Sequence, residues 1–139
     1  MALKSENKVL GDWLKHEYEQ YDFTRQVETI KGGGSDVTFK TGTVLSKKTA
    51  DGKLYDVTDD ASDGTQTAYG ILIHDTLVPA NTDTKAAVLV RGPAVVDSNQ
   101  IILNDAGISG DATDVAEVIA TLASLNIIAR AGVSTVGPV

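Results

Sequence analysis

Between Leu10 and Tyr21 the apolar and aromatic positions fall at helical spacing, with Leu10, Trp13, Leu14, Tyr18 and Tyr21 along one stripe. From Tyr21 the spacing changes to alternation. Tyr21, Phe23, Arg25 and Val27 take one side of an extended chain and Asp22, Thr24, Gln26 and Glu28 the other, so the pattern predicts a short helix followed by a strand. Lys31-Gly-Gly-Gly-Ser35 then interrupts it. Three glycines carry no side chains to pack and lose the most backbone entropy on ordering, which predicts a hinge.

Beyond the glycines the signals are mostly β. Val37 and Phe39 share one face before a turn at Gly42, and Asp51-Gly52 is a hairpin dipeptide between Val44-Leu45 and Leu54-Tyr55-Asp56-Val57. The runs Ala68–His74 and Ala86–Arg91 are apolar at nearly every position, which predicts central strands with both faces covered. Gly92-Pro93 interrupts, Ala94-Val95-Val96 resumes, Asp97-Ser98-Asn99 turns, and Gln100–Leu103 extends again. One helix is well signalled. Asp114 with Glu117 resembles a capping box, and Val115, Val118, Ile119, Leu122 and Leu125 form a stripe that ends near Asn126. A stripe of this kind covers a sheet face. A last extended piece runs from Ile127 to Val136. The fold class is α+β, predominantly β: a compact β-rich body with one amphipathic helix near the C-terminus and an extended N-terminal arm.

Length and charge narrow this picture. The 139 residues suit one domain, which buries about two thirds of its extended-chain surface without staples. Acidic residues outnumber basic ones 19 to 12, for a net charge of −7. That balance repels a phosphate backbone, so no nucleic acid is expected as a partner. Cysteine is absent, which excludes disulfides, thiolate metal sites and cysteine nucleophiles. No stretch is apolar enough for a membrane span, and the start at Met1–Lys8 has no apolar leader, so the expectation is a protein that stays in the cytosol where it is made.

Four of the seven aromatic residues, Trp13, Tyr18, Tyr21 and Phe23, precede the glycines. A short segment does not bury that much ring surface by itself. The rings must pack on the body, on a neighbouring subunit or on another protein.

Catalytic patterns are weak. His74-Asp75 has the form of a base held by its carboxylate, but no nucleophile on a sharp turn accompanies it, and a strand-end histidine beside a turn aspartate explains the pair. Gly107-Ile-Ser-Gly110 falls one residue short of a nucleophile elbow. The acidic run Asp56–Thr65 lacks the alternating ligands and closing glutamate of a calcium loop, and Gly32–Asp36 lacks the following helix of a phosphate cradle. Both read as solvated connections. No catalytic residue, cofactor or metal is assigned.

Thr41-Gly-Thr-Val-Leu45, Gly52-Lys-Leu-Tyr55, Asp63-Gly-Thr-Gln-Thr-Ala-Tyr-Gly-Ile-Leu72 and Ala87-Val-Leu-Val-Arg-Gly-Pro-Ala-Val-Val96 stand in that order. This order of elements, from about Val37 to Leu103, resembles the head decoration proteins of tailed bacteriophages, the lambda-type capsid-stabilising family. The resemblance implies a β-rich homotrimer on local three-fold axes of the mature head. There it would lie on the outer surface of the virion, bind the major capsid protein and hold the shell against internal DNA pressure, after synthesis in the host cytoplasm. It also implies an N-terminal arm that orders on the capsid. Here residues 1–34 form that arm and its hinge, 35–139 form the decoration domain, and Trp13, Tyr18, Tyr21, Phe23 and Val27 are the expected capsid contacts. Along an extended Phe23–Ile30, Arg25 and Glu28 would set register on a sheet edge. The alternatives are a small trimeric β enzyme acting on a nucleotide, with Arg91, Asp97 and Ser98 at a subunit seam, and a virion surface binding module.

Overall fold

The computed structural model describes residues 10–132. In chain order the elements are α1 (Leu10–Trp13), β1 (Leu14–Glu17), α2 (Tyr21–Thr24), β2 (Arg25–Ile30), β3 (Val37–Phe39), β4 (Val44–Lys47), β5 (Leu54–Asp56), β6 (Ala68–Leu72), β7 (Thr76–Val78), β8 (Thr84–Leu89), β9 (Ala94–Asp97), α3 (Ala106–Ser109), α4 (Ala112–Ser124) and β10 (Ile127–Arg130). The class is α+β, as the pattern predicts.

Strands β2-β5-β4-β6-β8 close into a barrel, β1-β9-β10 form a three-stranded sheet, and β3-β7 form a two-stranded ribbon. Ile30, Leu45, Leu54, Leu72 and Val88, one from each barrel strand, fill the barrel interior, with Phe39 and Val78 of the ribbon packed on the same cluster. A second core joins the outer barrel wall, at Val44, Ile71 and Leu89, to Ala94 and Val96 of β9, Ile127 of β10 and Val118 and Leu122 of α4. Strand β8 shows why the run from Ala86 to Val90 is apolar throughout. Ala86, Val88 and Val90 face the first core while Ala87 and Leu89 face the second, so neither side of the strand meets water.

Helix α4 begins earlier than its apolar stripe suggests. Its N-cap is Asp111, whose carboxylate accepts from the Thr113 amide at 2.9 Å and the Asp114 amide at 3.4 Å. Asp114 is therefore a first-turn residue and not the cap. At the other end the extended reading holds for β10, and the rest of the expected strand, to Val136, lies outside the described residues. Gln100–Leu103 forms no ladder strand; Ile102 makes an isolated bridge to Thr43.

The largest departure concerns the N-terminal segment. Leu14–Glu17 is a strand paired antiparallel to β9, and β2 pairs with β8 over its whole length, from Arg25 opposite Leu89 to Ile30 opposite Thr84. The chain from Leu10 to Ile30 is thus built into the body, and a boundary at residue 34 does not separate an arm from a domain. The helical spacing misleads because only two single turns, α1 and α2, are helical, with a strand between them. The glycine run is no free hinge either. The Gly32 amide donates to Asp83 Oδ1 at 3.0 Å, the Gly33 carbonyl accepts from Asn81, and a Cβ on Gly32 would collide with the Thr82 backbone.

Trp13 is the anchor of this arrangement. It is 0% exposed, packs in the second core and leans on Gly42, where a Cβ would stand 3.0 Å from the indole. Gly42 also has φ +91°, a conformation that side-chain-bearing residues rarely adopt. The Trp13 Nε1–H donates to Thr41 Oγ1 at 2.8 Å, and that hydroxyl donates to the Ile73 carbonyl at 2.5 Å. The expectation of an exposed contact ring at Trp13 is corrected accordingly: the chain's own core covers it. A ring this large with its one donor satisfied stabilises more in the core than at the surface.

Candidate functional site

The remaining expected contacts stay at the surface. Tyr18 is 48% exposed, Tyr21 51%, Phe23 51% and Val27 65%. They follow one another through the loop after β1, the turn α2 and the start of β2, with Tyr18, Gln20, Asp22 and Phe23 lining a shallow depression. Three large rings, Tyr18, Tyr21 and Phe23, are thus left in water within one short stretch, a grouping that scattered single exposures do not produce.

The stretch is held in shape from below. Glu17, whose side chain is 6% exposed, receives the Arg25 guanidinium on both oxygens, from Nε at 2.9 Å and Nη2 at 2.6 Å, and the Thr24 hydroxyl at 2.7 Å. Hydrogen bonding to Glu17 holds the Arg25 guanidinium above its ordinary value. This bidentate pair ties the end of β1 to the start of β2 across the protruding turn. Arg25 also lies over the Tyr21 ring, 4.6 Å from its centroid, and Arg91 over the Phe23 ring at 5.2 Å. Arg91 Nη1 donates to the Phe23 carbonyl and Nη2 to Gln26 Oε1 at 3.4 Å. Tyr21 and Phe23 thus each carry a guanidinium on one ring face.

Val27 adds a backbone feature. Strand β2 has β8 along one edge, whereas on the other it meets β5 only at Ile30 opposite Leu54. One edge of β2 is thus fully used by β8, and the β5 ladder on the other closes the barrel only at its Ile30 end. Glu28 does not face that edge as a register residue. Its Oε1 accepts from Gln26, Tyr69 and, at 3.5 Å, Lys47.

The other candidate residues do not converge. The Asp75 carboxylate accepts from the Thr41 amide at 2.8 Å and pairs with Lys40, so it caps a loop instead of orienting His74. Asp97 is buried and accepts from the Asn99 and Gly132 amides, the Ser98 amide donates to the Arg130 carbonyl, and Arg91 is engaged at Phe23. The nucleotide seam of Arg91, Asp97 and Ser98 is therefore not assembled within the chain. In the acidic run Asp56 accepts from Asn104, and Asp63 accepts from both the amide and the hydroxyl of Thr65. Burial raises the Asp56 carboxyl above the usual range.

A groove of about 530 Å³ lies between this loop and α4, with Asp59, Asp60, Asp114 and Glu117 on its walls and Ile108 and Val118 at its base. Desolvation and then repulsion from its acidic neighbours raise the Asp114 carboxyl. Among the described residues nothing basic lines it. A groove with one sign of charge and no acid–base pair is a poor reaction site. Spacing alone did not single it out, because its acids come from separate segments brought together by the fold.

The sequence profile of the bacteriophage lambda head decoration protein D family matches residues 3–127. No individually curated protein matches the chain. The matched span contains the barrel, strands β1 and β9 of the sheet, α4 and the exposed aromatic turn, and ends at the first residue of β10. The chain therefore belongs to the bacteriophage lambda head decoration protein D family, and its role is structural, as a stabilising protein of the phage capsid and not an enzyme.

Proposed function

We propose that the protein sits on the outer surface of the mature head as a homotrimer at local three-fold axes, where it clamps major capsid protein subunits against internal DNA pressure. Tyr18, Tyr21, Phe23 and Val27 make the capsid contact in this reading. The observation that carries it is the contiguous exposure of these side chains on a turn braced by Glu17, Arg25 and Arg91. Rings of this kind remove a large rigid area from water at little entropy cost, and truncating one at an interface centre typically loses about 2 kcal/mol or more. Three copies acting together add effective concentration to each weak contact.

Contacts between copies belong to the body. Val37 and Leu77 are the other large apolar side chains exposed among the described residues, and they lie on the β3–β7 ribbon. A cyclic trimer needs head-to-tail contact between two different surfaces of each copy, and an exposed apolar ribbon supplies one of them. Synthesis in the host cytoplasm completes the proposal.

The test is co-sedimentation with undecorated, expanded heads of the parent phage. The wild type binds to saturation, and a Tyr21→Ser/Phe23→Ser double variant with unchanged thermal stability binds at least 100-fold more weakly. Equal binding by the two proteins would remove the turn from the interface.

A further inference from the structure

Arg91 has chemistry that the aromatic contacts do not use. Its guanidinium stacks over Phe23 and donates to a backbone carbonyl and a side-chain amide oxygen, so it meets only neutral acceptors. Among the described residues it forms no ion pair, although the chain carries 19 acidic residues against 12 basic ones. Its counterpart Arg25, at the start of β2 and also over a ring, is neutralised by Glu17 along its Nε–Nη2 edge. The apolar patch thus presents one neutralised arginine and one that is not. A half-buried guanidinium beside exposed rings, with no carboxylate on it among the described residues of an acidic protein, has a place for someone else's carboxylate.

We infer that Arg91 is a specificity residue of the capsid contact and takes an acidic side chain, aspartate or glutamate, from an apolar segment of the capsid protein seated on Tyr18, Phe23 and Val27. The inference rests on the proposed capsid-facing role of this turn and adds the charge of the partner. Phe23 and its neighbours supply apolar area. Arg91 selects among apolar segments, because a segment without a carboxylate must desolvate the guanidinium with nothing in return, and a lysine or arginine at that place is repelled.

Four proteins are compared for binding to undecorated expanded heads at increasing sodium chloride: wild type, Arg91→Gln, Arg91→Lys and Phe23→Ala. Arg91→Gln is expected to weaken binding at least tenfold at low salt, with the gap to wild type closing as salt screens the pair, and Arg91→Lys to fall between them. Phe23→Ala is expected to weaken binding by a factor that salt does not change. Arg91→Gln binding within twofold of wild type, or a loss that salt leaves constant, would overturn the inference, the second result reducing Arg91 to a support for the Phe23 loop. A change in oligomeric state of Arg91→Gln without heads present would also overturn it, by making the occupant a second copy. If Phe23→Ala and Arg91→Gln both bind like wild type, the capsid-facing role of the turn itself fails.

Discussion

Trp13 and Phe23 belong to the same short stretch of chain and meet opposite environments. Trp13 has a donor that Thr41 accepts and a glycine to lie against, whereas Phe23 has a cation above its ring and water on its free side. Thr41 therefore does the work of two groups with one hydroxyl, accepting from the indole and donating to Ile73. Thr41→Val keeps the shape and strands both partners, so a loss of roughly 1–3 kcal/mol in chemical denaturation is expected, with a change in the emission of the sole tryptophan. A loss below about 0.5 kcal/mol would mean that the indole finds another acceptor. Sequence shows that these aromatics exist and are grouped. It does not show which ring is buried, because that depends on Thr41 and Gly42 arriving from the turn between β3 and β4.

Elements were legible where a periodic run meets its own partner and illegible where pairing is long-range. The β4–β5 hairpin and the central position of β8 follow from Asp51-Gly52 and from the unbroken apolar run. The path of β2 does not, since its partner β8 lies far along the chain and its outer face alternates like a free edge. The glycine segment is illegible for the same reason: its clamp is Asp83, from the loop before β8. Asp83 holds Gly32 at 3.0 Å and Lys53 at 2.6 Å, and the Lys53 and Gly32 donors bring its carboxyl down to about 2 from an ordinary 3.8. Because the folded value is depressed, the clamp contributes fully above the unfolded value and is lost as pH falls through about 2. The Gly32 amide proton is expected to titrate in NMR with a midpoint near 2, and to stop titrating there in Asp83→Asn. A midpoint near 3.8 would show the carboxylate to be unclamped.

Four acids, Asp59, Asp60, Asp114 and Glu117, gather at the α4 groove, and the exposed rings Tyr18, Tyr21 and Phe23 gather between β1 and β2. A net charge of −7 opposes association of like copies, and the apolar Val37–Leu77 ribbon offsets it where copies meet. Leu77→Asp is expected to shift sedimentation at high protein concentration from trimer to monomer, while raised salt favours the wild-type trimer. An unchanged distribution would place the subunit contact elsewhere. The most direct measurement of the account is an electron cryomicroscopy reconstruction of expanded heads decorated with this protein. The account predicts three copies around each local three-fold axis with Tyr18, Tyr21, Phe23 and Val27 against the shell and the α4 groove turned away from it. Density that places the aromatic turn on the outer, solvent-facing side of the decorated head would contradict it.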